Sequence, residues 1–153
     1  MLESSIVYTL VRTFPESLVL VLSGMMLLGD SIDTKQVFKK GILLGLTIVF
    51  IRLLPINFGV HTMLAMISFG LIIFKLSDKD IIKTMIATCT VWIALVLSEG
   101  IYSIIATVIF KIPINILMNK DLEGALITLP SLIIILTLVF MFKGIKNKVS
   151  RSE

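Results

Sequence analysis

Glu99 is a carboxylate inside the longest apolar run of the chain, 81–110, with Ser98 and Gly100 as its only small or polar immediate neighbours. An ionisable group at bilayer depth is costly, so it faces a protein interior, a partner charge or a water-filled cavity. The chemistry open to it is ion pairing, gripping the charge of a ligand, or handling a proton. Arg52, His61 and Glu16 could share that work. Arg52 is the opposite charge best placed to turn inward, and an Arg52–Glu99 pair would either pin two helices together or bind a ligand's charged groups. Glu99 and His61 could serve as acid and base, but no nucleophile accompanies them. There is also no metal cluster, phosphate loop or serine elbow. The expected protein is therefore not an enzyme and uses no catalytic residue, metal or cofactor.

These residues need elements to position them, and composition says which. The chain has 153 residues, 57% of them hydrophobic, with a mean hydropathy of +1.07. Soluble domains average roughly 45–50% apolar residues. Here the apolar residues fall in blocks long enough to cross a hydrocarbon core. An all-α, polytopic membrane bundle is expected, as a single integral membrane domain. The start, Met1-Leu2-Glu3-Ser4-Ser5, lacks the cationic region of a removable signal peptide. Cys89 lies within an apolar helix and reads as a small buried hydrophobe. The net charge of +4 sits in short loops and the tail, as orientation signals do, so nucleic acid is not expected as a partner.

Breaks in the pattern delimit five spans, at about 15–29, 38–56, 59–76, 81–110 and 125–142. Pro15 suits a first helical turn, and 6–14 is either an extension kinked at Pro15 or a separate interfacial segment. Pro55-Ile56-Asn57-Phe58-Gly59 reads as a tight turn, and Ser77-Asp78-Lys79-Asp80 offers N-capping residues. With five spans, one side collects ten Lys and Arg and the other only Arg12, Arg52, Lys111 and Lys120. That bias predicts an N-out, C-in protein of a bacterial plasma membrane.

Depth follows from a rise of ~1.5 Å per residue. Measured from the cytoplasmic ends, Arg52 lies roughly 18 Å up, Glu16 and His61 roughly 21 Å, and Glu99 roughly 24 Å. Four helices thus place an ionisable group in one outer-leaflet layer. Taken singly, Arg52 and Glu16 could snorkel to the headgroups, and His61 could be a satisfied core histidine. Glu99 cannot snorkel, because its helix continues about three turns beyond it. Gly41-x-x-x-Gly45 matches the small-residue packing motif and suits neighbouring spans of one chain. Trp92, mid-span, reads as core or pocket wall. Tyr8 and Tyr102 fit the outer interface.

The stretch Arg52-Leu53-Leu54-Pro55-Ile56-Asn57-Phe58-Gly59-Val60-His61, followed by Ser98-Glu99-Gly100 and by Leu129-Pro130-Ser131 before a basic exit, resembles a known pattern. It is similar to the N-terminal transmembrane sensor region of Firmicute GHKL-type sensor histidine kinases, of the quorum-sensing and sporulation-related kind. The resemblance implies a bundle that senses a cue and drives a cytoplasmic kinase through its last helix, in a two-component-like manner. The chain has no phosphoacceptor helix or ATP-binding module after its last span, so it would be a stand-alone relative or a sensor region alone. The expected function is a non-enzymatic membrane sensor or regulatory module. It would bind a small or membrane-embedded ligand at the polar layer and signal through the last helix. The rival is a substrate-binding membrane subunit of a small-solute transporter. Expected partners are the lipid bilayer and either a second copy or a cytoplasmic kinase or ATPase.

Overall fold

The computed structural model describes residues 2–30, 33–54, 58–77, 79–113, 116–117 and 122–149; the side chains of 2–9, 58 and 145–149 lie outside that description. Among the described residues six helices are delimited: α1 (Leu2–Leu28), α2 (Thr34–Leu53), α3 (Phe58–Leu76), α4 (Ile81–Val108), α5 (Leu122–Thr128) and α6 (Ser131–Val149). Among the described residues there is no strand. Among the described residues four stretches are long and apolar enough to cross a membrane: Leu10–Leu28, Gly59–Leu76, Ile81–Val108 and Leu122–Gly144. The chain is an all-α, multi-pass membrane bundle.

α2 differs from those four. Lys35, Lys39 and Lys40 crowd its start and Arg52 sits in its last turn. Only 41–51 is free of charge, about 16 Å of helix against a hydrocarbon core of about 30 Å. A crossing of the bilayer by α2 would need those charges to reach toward the headgroups.

α1 is the hub. It touches every other helix, most extensively α2. It is one continuous helix through Pro15, so 6–14 extends the first span. Proline leaves the Val11 carbonyl without its helical donor, and two residues on the Ser17 hydroxyl donates to the Phe14 carbonyl at 2.8 Å. α1 ends at Gly29, whose φ of 76° suits glycine. The Gly29 and Asp30 amides there turn back to the Met26 and Met25 carbonyls, each at 3.3 Å, satisfying two orphan acceptors in a Schellman arrangement.

α2 buries Val37, Gly41, Leu44, Gly45, Ile48 and Ile51, one helical face at three- and four-residue spacing. The two glycines bring its backbone onto α1. A Cβ at Gly41 would lie 2.5 Å from Leu18 Cδ2, and one at Gly45 would lie 2.9 Å from Ser17 Oγ. The Gly41-x-x-x-Gly45 motif therefore packs two helices of the same chain. Lipid tails are as apolar as leucine, so the gain comes from close van der Waals contact rather than from escaping water. Gly24 does the same for α3, whose Phe69 and Ile73 are fully buried. Large apolar side chains such as Phe50, Val108 and Ile133 stand on the outside of the bundle.

The last span is broken. Instead of one helix over 125–142, α5 stops at Thr128, turns through Leu129 and Pro130, and restarts as α6, which runs on to Val149. Asp33 caps α2 by accepting the Lys35 amide at 3.0 Å, and that helix begins four residues before the expected 38. Asp80 precedes α4 without a side-chain cap. The expected turn at 55–59 lies mostly outside the described residues.

Candidate ionic site on α1

A polar stripe on the hub helix builds the site. Arg12, Thr13, Glu16 and Ser17 are all buried. Their spacing puts Arg12 above Glu16 and Thr13 above Ser17 on one face, four residues being about one turn. Arg12 Nε lies 3.9 Å from Glu16 Oε2, and these side chains are only 11% and 10% exposed. The close approach of α2 at Gly45 seals the Ser17 edge.

Two further helices complete the cluster. Arg12 Nη2 donates to Glu99 Oε1 of α4 at 2.5 Å. Arg52 Nη1, from the last turn of α2, donates to the Thr13 hydroxyl at 3.0 Å. Two guanidinium and two carboxylate groups thus gather where three helices meet, with formal charges that cancel. Such neutrality is what burial of ions requires.

The convergence expected of Glu16, Arg52 and Glu99 is present, but the pairing is different. Glu99 pairs with Arg12, not with Arg52. Arg12, counted by sequence among the outer surface charges, is instead the buried centre. The physical reason is geometric: Arg12 sits on the hub helix against α4, whereas Arg52 is solvent- or lipid-accessible and spends one donor on Thr13. The signal that would have found Arg12 is its i,i+4 spacing to Glu16 alongside Thr13 and Ser17.

His61 stays apart from these hydrogen bonds. It is half-buried on α3, and its Nδ1 is buried without a partner among the described residues. Cys89 is exposed on the outside of α4 rather than buried. It lines a shallow apolar groove with Met66 and Trp92, so Trp92 is a groove wall that also packs on the core. Tyr8 lies among the side chains outside the description. Among the described residues no three His, Cys, Asp or Glu gather to hold a metal ion.

No protein-family model, curated protein or solved structure matches the chain. The function must come from the site itself.

Chemically, the cluster offers two open members, Arg52 and Glu99. The Glu99 side chain is 46% exposed, while its partner Arg12 is 11% exposed. Arg12 uses its planar fork to hold Glu16 and Glu99 at once. Glu99 thus has a second oxygen for a cation or donor arriving from outside the bundle. One turn beyond Glu99, the Tyr102 hydroxyl donates to the Ile127 carbonyl of α5. That carbonyl is among the last four of α5, which have no helical donor of their own. Ser131 covers another, donating its hydroxyl to the Thr128 carbonyl at 2.8 Å.

Proposed function

We propose that this protein is a non-enzymatic sensor or regulatory module of a bacterial plasma membrane. A small or membrane-embedded ligand engages Glu99 and Arg52 at the outer ionic cluster, and α6 conveys the response to a cytoplasmic partner. The chain runs N-out and C-in in this reading, with α2 as a fifth crossing. One observation carries it: Glu99 and Tyr102, three residues apart on α4, join the ionic cluster to the break between α5 and α6. A ligand that drew Glu99 away from Arg12 would rotate or shift the outer end of α4 and load the Tyr102 contact. The helix break gives the exit helix freedom to respond. The ligand's differential affinity for the two arrangements sets the size of the response.

A substrate-binding subunit of a small-solute transporter is the second reading, favoured by the half-open Glu99 side chain. Attaching a histidine-kinase catalytic region after Glu153, in several helical registers, separates the two. Glu99→Gln and Tyr102→Phe should each change kinase output in at least one register at constant protein level. If no register responds to either change, the sensor reading fails. The transport reading then predicts co-purification with an ATPase and tight retention of a solute.

A further inference from the structure

We propose that the opposite end of the bundle holds a selective site for an anionic phospholipid, in a groove between α1, α4 and α6. Leu27 and Leu28 of α1, Ile86 and Ala87 of α4 and Phe142 of α6 wall a space of about 450 Å³, and Lys83 stands at its rim. That volume lies within the range of sites that hold small ligands or part of a lipid chain, roughly 300–1,000 Å³. The walls are apolar, and the one hydroxyl among them, on Thr90, is already spent on the Ile86 carbonyl at 2.8 Å. The groove therefore suits hydrocarbon, with a single cation where a headgroup would sit.

Charge selects the occupant. Among the described residues Lys83 is held only by Asp80, three residues back at 3.5 Å, with both side chains well exposed at 66% and 78%. Exposed pairs of this kind are worth about 0–1 kcal/mol, so a phosphate competes easily for the ammonium. Among the described residues, Asp30, two residues after Leu28, is 3.5 Å from Lys79 and so is countered by its own cation. Lys143 follows Phe142 directly in the sequence of α6. Lys35, Lys39, Lys40 and Lys75 belong to the same end of the bundle. By the positive-inside rule this end faces the cytoplasm, where the leaflet carries anionic lipid. Basic pockets between transmembrane helices on that side recognise lipid headgroups. This inference uses none of the residues of the outer ionic cluster, so it stands or falls independently of the sensor reading.

Native mass spectrometry of the detergent-purified chain, exposed to equimolar phosphatidylglycerol and phosphatidylcholine with identical acyl chains, tests it. Phosphatidylglycerol should be retained preferentially. Lys83→Ala should weaken its retention about fivefold, the effect of one lysine near an anionic surface, and leave phosphatidylcholine unchanged. Lys83→Arg should keep the preference. Lys75→Ala, at the same end but outside the groove, should change neither lipid. Equal retention of the two lipids would overturn the proposal. So would a loss with Lys75→Ala as large as that with Lys83→Ala, or an unaltered preference in Lys83→Ala.

Discussion

Arg12 reaches Glu99 across 87 positions of sequence, and the same guanidinium reaches Glu16 one turn along its own helix. This shared cation makes the effects of substitution unequal. Arg12→Ala strands Glu16 in a buried position and should cost on the order of 3–5 kcal/mol. Glu99→Gln removes a charge that is half open to the surroundings, and should cost only about 1–2 kcal/mol. In thermal unfolding in detergent, Arg12→Met and Glu99→Gln should be non-additive, the double variant losing less than the sum. Arg52→Gln with Glu99→Gln should couple more weakly than that pair, because Arg52 reaches the cluster through the Thr13 hydroxyl and not through Glu99. Strict additivity in the first cycle would dissolve the cluster as described.

The glycines of α2 separate from those elsewhere. Gly41→Ala drives a methyl against Leu18, with the Leu18 backbone Cα only 3.1 Å away, so it cannot be relieved by side-chain movement alone. It should destabilise by about 1–3 kcal/mol. Gly144→Ala, in α6, meets nothing within 4 Å and should stabilise by about 0.5–1 kcal/mol through helix propensity. Equal effects on melting temperature would mean that α2 does not approach α1 as closely as the two glycines allow.

Much of this fold is legible because bilayer depth and helical period are crude, strong constraints. The apolar runs of α3 and α4 stand out in sequence, and Glu99 stands out because nothing around it is charged. Pairing is less legible. Depth alone placed Arg52 beside Glu99, because depth carries no information about rotation around the helix axis. Arg12 was hidden by Pro15, which invites reading 6–14 as something other than the same helix. Cys89 illustrates the same limit. An apolar neighbourhood in sequence does not say whether a side chain faces protein or lipid, and in a bilayer both faces are apolar. The break at Leu129 and Pro130 was visible as residues, but its acceptor for Tyr102 exists only once α4 and α5 are side by side.

Tyr102 should matter more than a surface tyrosine. Its hydroxyl serves a carbonyl at the end of α5 that the helix cannot satisfy. Tyr102→Phe keeps the ring and removes that donor, and should lower stability by about 1–2 kcal/mol. Hydrogen exchange should rise in α5 and the first turn of α6, with α2 unaffected. A uniform rise across the bundle would show global weakening and no specific role at the helix break.

The orientation can be decided at the two ends of α4. This helix has 28 residues and so extends about 42 Å, more than the roughly 30 Å of hydrocarbon it must cross. Lys79 precedes it and Lys111, at a φ of 52°, follows it; both are exposed. The two positions must therefore lie on opposite sides of the membrane if α4 spans it. The basic residues gather at the Lys79 end, which the positive-inside rule predicts to be cytoplasmic. In a Cys89→Ala background, an impermeant thiol reagent applied to intact cells should label Lys111→Cys. It should reach Lys79→Cys only after the membrane is opened. The reverse pattern would invert the bundle and place the ionic cluster on the cytoplasmic side. Labelling of both positions from outside would mean that α4 does not cross.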